Sequence, residues 1–238
     1  VRASVHAPAK LTLSLRITGV RPDGYHLVDA EMVTIDLTDD LELAEGDGLD
    51  VTGPAAGGVP ADEANLVLRA LHAVGRRAHV RLHKRIPSGA GLGGGSADAA
   101  AVLRWAGCSD VAVAARLGAD VPFCVVGGRA RVTGTGEVVE PMPFERRTFT
   151  LLTPALAVPT VAVYRAWDEL GGPAGDHGND LEPAALAVEP GLAAWRERLA
   201  AASGLRPRLA GSGSTWFVEG EFPGDGRLVV KTVRGETV

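Results

Sequence analysis

Five glycines crowd the stretch Pro87-Ser88-Gly89-Ala90-Gly91-Leu92-Gly93-Gly94-Gly95-Ser96-Ala97-Asp98, and they limit what this chain can build there. Glycine lets backbone N–H groups converge on one point with no Cβ in the way, and a helix that follows adds unpaired amides and the positive end of its dipole. The stretch therefore predicts an anion cradle. Before it, residues 80–86 alternate apolar and polar as a strand does. After it, Ala99, Val102, Leu103 and Ala106 recur at helical spacing, with Ser96 suited to the first turn and Gly107 to the end.

Phosphate-binding loops of other kinds fit poorly. A Walker loop needs lysine after its last glycine, and here Ser96 follows Gly95. Gly89-x-Gly91-x-x-Gly94 matches the dinucleotide fingerprint as a bare pattern. However, Pro87 and Ser88 separate it from the strand, and no parallel strand with a ribose-binding acid follows the helix. A glycine-rich turn with no ligand is the remaining alternative for the loop taken alone.

With 238 residues and 46% hydrophobic content, the chain can bury a core as one large domain or two small ones. Its net charge of -5, without a long basic run, argues for a small ligand and against a nucleic-acid backbone. Cys108 and Cys124 show neither metal-ligand spacing nor a disulfide framework, which suits a reducing compartment and makes cytoplasm the expectation. No apolar run reaches membrane-spanning length, and Val1 opens directly into a strand-like segment, so no membrane partner is expected.

Leu11, Leu13, Leu15 and Ile17 alternate with Lys10, Thr12, Ser14 and Arg16, predicting a half-buried strand that presents Lys10 and Thr12 side by side. A solvated strand face is the plainer reading of the same pattern. Pro22-Asp23-Gly24 is a turn signature that exposes Tyr25 and His26, which could hold a base or simply pack a hairpin. Residues 30–51 read as β, with turns at 36–40 and 45–48, and 55–60 reads as a surface loop. A helix begins at Asp62 with Asn65 in its first turn and Val67, Ala70, Leu71 and Val74 on one face. A second short helix ends at 117–119, and Asp120-Val121-Pro122-Phe123 opens an apolar strand. An aspartate at such a junction is usually a cap. Beside an anion loop it could instead orient and deprotonate a hydroxyl for phosphoryl transfer.

Pro141-Met142-Pro143 looks like the link between two halves, so the chain divides into residues 1–143 and 144–238. The second half reads as a strand at 149–153, a helix after Thr160, a longer helix around 192–201, and strands at 207–209, 215–219 and 228–233. Residues 210–214 form a second glycine loop. Helices segregated from antiparallel strands in this way suggest an α+β sandwich.

Four stretches together resemble the GHMP superfamily of small-molecule kinases: 7–11, 21–26, 89–98 and 117–123. Asp23-Gly24-Tyr25-His26 favours the branch acting on a cytidyl-diphosphate sugar alcohol over homoserine, mevalonate or galactose kinases. The resemblance implies a two-domain α+β fold, with a ribosomal-protein-S5-domain-2-like N-terminal domain and a ferredoxin-like C-terminal α/β sandwich. It implies that Gly89, Ala90, Gly91, Leu92, Gly93, Gly94, Gly95 and Ser96 hold the ATP phosphates, with Pro87 and Ala97 also in the ATP site and Asn65 and Lys84 near adenine. Asp120 would be the base, Lys10 its neighbour, and Tyr25 and His26 the grip on cytosine. Thr12, Asp120, Thr160, Gly211, Ser212 and Gly213 would line the acceptor side. Mg2+ would bridge the phosphates, with no ligand assigned, and a monomer or weak homodimer is expected.

Three departures from the family pattern stand out: Thr12 in place of asparagine, a shortened connection between Trp105 and Arg116, and the bulky Trp216. A catalytically silent sensor on the same fold is the competing reading. Retention of both Lys10 and Asp120 favours the enzyme, because a sensor needs the cradle but not the base.

Overall fold

The alternation from Leu11 to Ile17 is the middle of a longer strand, β1 (Ala3–Val20), which pairs antiparallel along its length with β2 (His26–Ala44). The structure, a computed structural model, describes residues 2–235, so Val1 lies outside it. The Pro22-Asp23-Gly24 turn closes this hairpin, with the Arg21 amide donating to the Tyr25 carbonyl at 2.8 Å. Both faces of β1 are buried from Ala9 to Leu13, where the alternation implied one wet face. The polar face carrying Lys10 and Thr12 looks into a cleft instead of bulk solvent.

Residues 36–40 do not form the expected turn but lie inside β2. Each acid there has a tertiary partner: Asp36 accepts from the Lys231 amide at 2.8 Å, Asp39 from the Ile86 amide at 2.9 Å, and Asp40 pairs with Arg85 at 2.6 Å. With its charges satisfied from outside, the strand has no need to bend away to water.

The chain continues through β3 (Gly48–Thr52), α1 (Leu66–Ala73) and β4 (His79–His83), with β3 parallel to β4. It then runs through α2 (Gly94–Trp105), α3 (Val111–Leu117) and α4 (Val121–Val126) to β5 (Arg129–Gly134) and β6 (Val138–Pro141). β4 and β5 pair with the same edge of β2, at Asp40–Ala44 and Val28–Val33 respectively. The glycine stretch therefore starts where β4 leaves β2, next to the gap between the two pairings. α2 is rich in alanine, and Ala97, Ala99, Ala100 and Ala101 are buried where it packs on β1, α1 and α4. Small side chains let these elements approach closely.

The apolar strand expected from Asp120 to Phe123 is instead the short helix α4. Val121 to Val125 is buried throughout, so the run lacks the periodicity that separates a helix from a buried strand, and Pro122 in the first turn is preset for a helix.

The second half contains β7 (Thr148–Leu152), α5 (Thr160–Glu169), α6 (Glu182–Val188), α7 (Leu192–Ser203), β8 (Arg208–Leu209), β9 (Trp216–Glu219) and β10 (Arg227–Lys231). Its sheet has the order β10-β7-β9-β8, and α6 was not anticipated from sequence. Leu11, Leu13, Val33 and Ile35 share one hydrophobic cluster with Phe149, Leu151, Phe217 and Val230, so the two sheets are joined through a common core. The bulky Trp216 is absorbed into this half's interior with no exposed surface. Among the described residues, no helix is long and apolar enough to cross a membrane.

Candidate active site

The glycine stretch is pinned from both sides. The Lys10 amide donates to the Leu92 carbonyl at 3.0 Å, and the Thr215 amide to the Ala90 carbonyl at 3.2 Å. At Gly91, φ is +76°, and a Cβ would run into the Ala210 carbonyl oxygen, so the two glycine loops cross backbone to backbone. Gly93, at φ +68°, precedes α2, and a Cβ there would lie 2.7 Å from Cγ of Lys10. The first amides of α2 have no intrahelical partner and sit at the positive end of its dipole, beside a buried lysine. That arrangement favours an anion.

Lys10 reaches from β1 across the mouth of this cradle. Its ammonium lies 3.2 Å from Asp120 Oδ2 and donates to the Thr12 hydroxyl at 3.1 Å. Asp120 stands at the start of α4, yet its side chain makes no capping hydrogen bond, so the carboxylate is left to the cleft. Burial, with the Asp120 charge adding, pushes the Cys124 thiol up to about 12, and the same two causes push the Tyr164 hydroxyl up to about 12. Both stay protonated near neutral pH. The turn between β5 and β6 supports it from behind, because Gly136 approaches the Ala119 carbonyl so closely that a Cβ would collide.

Across the cleft, the second half supplies a hydroxyl pair, Thr160 Oγ1 and Ser212 Oγ, 2.9 Å apart. Asn179 holds the second glycine loop in place. It donates to the Leu209 carbonyl at 2.9 Å and the Gly211 carbonyl at 2.7 Å, and it accepts from the Leu181 amide at 2.9 Å. His26 leans on Tyr164, 4.8 Å between ring centres, and on Trp167, 5.4 Å and edge-on, while its Nε2 meets Asp168 Oδ1 at 2.9 Å. Tyr25 is 64% exposed, with the Arg21 guanidinium 6.0 Å from its ring.

Two residues placed near adenine by resemblance are committed to the protein. Asn65 caps α1, accepting from the Val67 amide at 2.9 Å and donating to the Pro60 carbonyl at 2.7 Å. Lys84 is buried between Asp39 and Asp98.

These groups surround one cleft of about 460 Å³. Of the residues singled out in the sequence, Tyr25, Leu92, Ala97 and Gly213 do not line it, and the others do. Leu92 and Ala97 are buried beneath the loop. Tyr164 and Asp98 line the cleft without having been singled out, and Asp168, Asn179 and Asp39 support it. Tyr164 and Trp167 are spaced i, i+3 on α5, an aromatic pair on one helix face that sequence could have flagged.

The family described as GHMP kinases N terminal domain matches residues 65–128. A 4-diphosphocytidyl-2-C-methyl-D-erythritol kinase of Cereibacter sphaeroides is 41% identical over 241 residues, covering 89% of this chain and 87% of that protein. A protein of the same name from Paracoccus denitrificans is 40% identical over 231 residues, covering 89% and 84%. The crystal structure of a 4-(cytidine 5'-diphospho)-2C-methyl-D-erythritol kinase superposes with a TM-score of 0.75 at 32% identity, covering 97% of this chain and 99% of that one.

Proposed function

The chain belongs to the 4-diphosphocytidyl-2-C-methyl-D-erythritol kinase family of GHMP kinases, and we propose that it carries out that reaction. It transfers the γ-phosphoryl group of ATP to the 2-hydroxyl of 4-diphosphocytidyl-2-C-methyl-D-erythritol, giving the 2-phosphate and ADP, in the non-mevalonate supply of isoprenoid precursors. The observation that carries this reading is the Lys10–Asp120 pair, 3.2 Å apart at the mouth of a glycine cradle.

Asp120 accepts the hydroxyl proton as the acceptor oxygen bonds to phosphorus and the bond to the ADP oxygen breaks. Lys10, 3.2 Å from that carboxylate, faces the charge that spreads over the transferred group. Thr12 takes a hydrogen bond from Lys10 and fixes its direction. The loop and the first turn of α2 hold the phosphates through backbone amides, as Gly91 and Gly93 permit. Tyr164 and His26 form an aromatic wall suited to the cytosine, with Tyr25 at the rim and Thr160 and Ser212 on the acceptor side.

Among the described residues, no group of three or more His, Cys, Asp or Glu is placed to hold a metal ion. The Ser96 hydroxyl, an oxygen donor lining the cleft at the cradle, would suit a Mg2+ ion that enters with the nucleotide. When bound, that ion neutralises phosphate charge. Residues 1–143 then form the ATP-binding domain and 144–238 close the acceptor side, in a cytoplasmic enzyme, monomeric or weakly dimeric, whose partners are small molecules.

The test is steady-state ADP release with the cytidyl alcohol, with product identified by phosphorus NMR. Turnover above background that places phosphate on the 2-oxygen is the expected result. ADP release no faster than the ATP-only blank would refute the reading.

A further inference from the structure

The Lys84 ammonium leaves the end of β4 and donates to Asp98 Oδ2 at 2.6 Å and to Asp39 Oδ2. The three side chains are 3%, 2% and 0% exposed, in the order Lys84, Asp98, Asp39. Asp39 also accepts, through its other oxygen, from the amides of Arg85 and Ile86, the residues that lead into the glycine stretch. Asp98 stands in the first turns of α2, just past the last glycine. Lys84 and Asp98 therefore bracket the loop, and Asp39 ties the bracket to β2. A Cβ on Gly94 would lie 3.2 Å from the Lys84 ammonium and 3.0 Å from Ile86 Cγ2, so the ammonium sits directly under the start of α2.

Two carboxylates on one buried ammonium are a poor device for stability. Burial of such charges costs several kcal/mol per ion, and apolar replacements commonly do as well. Asp98 Oδ1 has no hydrogen-bond partner, a further cost. What the charges provide is geometry, because the four charge-assisted contacts fix direction as well as distance.

We propose that Lys84 is a positioning residue for the phosphate loop: with Asp39 and Asp98 it staples both ends of that loop to β2, and it acts on the nucleotide through loop geometry without touching the base. The proposal rests on the ATP reading of the cleft.

The test compares wild type with Lys84→Met, Asp98→Leu and Asp98→Asn. Hydrogen exchange of residues 87–97 is followed in nucleotide-free protein, and KM is measured separately for ATP and for the cytidyl alcohol. Lys84→Met and Asp98→Leu should each speed loop exchange by about 10-fold or more. They should raise KM for ATP about 10-fold while leaving KM for the alcohol within about 2-fold. Asp98→Asn, which keeps an oxygen acceptor for Lys84, should recover most of both losses. A purely structural role would move melting temperature without splitting the two KM values. Should Lys84→Met fail to fold, Lys84→Met/Asp98→Leu/Asp39→Asn, which removes both carboxylate charges and keeps an oxygen acceptor for the Arg85 and Ile86 amides, takes its place with the same expectations. Raised KM for ATP with wild-type loop exchange would mean that Lys84 touches the nucleotide, and would overturn the proposal. Faster exchange with unchanged KM for ATP would overturn it too. The exchange arm uses no nucleotide, so failure of the ATP reading, seen as no ADP release by the wild type, stays distinct from failure of the staple.

Discussion

The Lys10 ammonium and the Asp120 carboxylate face each other at 3.2 Å, the lysine buried in the middle of β1 and the aspartate at the open start of α4. The contact ties the strand that carries the lysine to the start of α4. The aspartate side chain remains 32% exposed, so it is open to the cleft.

Asp120→Asn keeps the shape and removes the proton acceptor. Turnover should fall by roughly 10²-fold or more, with KM for ATP within about 3-fold. Steady-state kinetics decide it, and near-normal turnover would return Asp120 to the role of a plain helix-start residue.

Gly93→Val should disable ATP use more severely than Gly94→Val. Gly93 needs a positive φ, and a side chain there would strike the Lys10 stem, whereas Gly94 has an ordinary φ and crowds only Ile86 and Lys84. Calorimetric titration with ATP should show affinity reduced by about 10-fold or more for Gly93→Val. A folded Gly93→Val protein with wild-type affinity would remove the phosphate role from this loop.

The parts of the site that lie within one local stretch could be read from sequence. The glycine turn and the alternation that puts Lys10 beside Thr12 each depend on neighbours a few residues away, whereas the helix expected from Asp62 starts at Leu66, with Asn65 as its cap instead of in its first turn. The acid run 36–40 could not be read as strand interior, because Lys231, Ile86 and Arg85, which satisfy it, are distant in the chain. Lys84 belongs to the alternating run 80–86, which carries no sign of burial at that position. Its burial follows from Asp39 and Asp98 converging on it from two other elements. The His26–Asp168 contact joins the two halves and has no local signature.

Tyr164 offers its ring to the cleft next to His26, which Asp168 and Trp167 hold in place. Loss of an aromatic stacking surface costs roughly 1–3 kcal/mol per base, so Tyr164→Ala should raise KM for the cytidyl alcohol by about 10-fold. KM for ATP should stay within about 2-fold. Asp168→Asn should give a smaller effect of the same kind by loosening His26. Equal KM values for wild type and Tyr164→Ala would move the cytosine elsewhere.

Asp98 should leave a mark on the pH dependence of stability. Burial raises its carboxyl to about 7 against the pull of Lys84, with the Asp39 charge adding to the rise, while the ordinary value is 3.8. The folded pKa lies above the unfolded one, so between these values the native state holds a proton that the unfolded chain has released. Stability from this group is therefore greatest at the acid end of the window, declines as pH rises toward about 7, and is level above it. Asp98→Asn removes the titration. Its melting temperature relative to wild type should climb between about pH 5 and about pH 7 and flatten by about pH 8, by about 2–4 °C for each kcal/mol involved. Carboxylates such as Asp29, whose pKa is lowered by the hydrogen bond from Arg131, act in the opposite sense but are common to both proteins and cancel in the difference. Parallel melting curves across that range would mean that Asp98 stays ionised throughout and that the Lys84 ammonium outweighs the cost of burial.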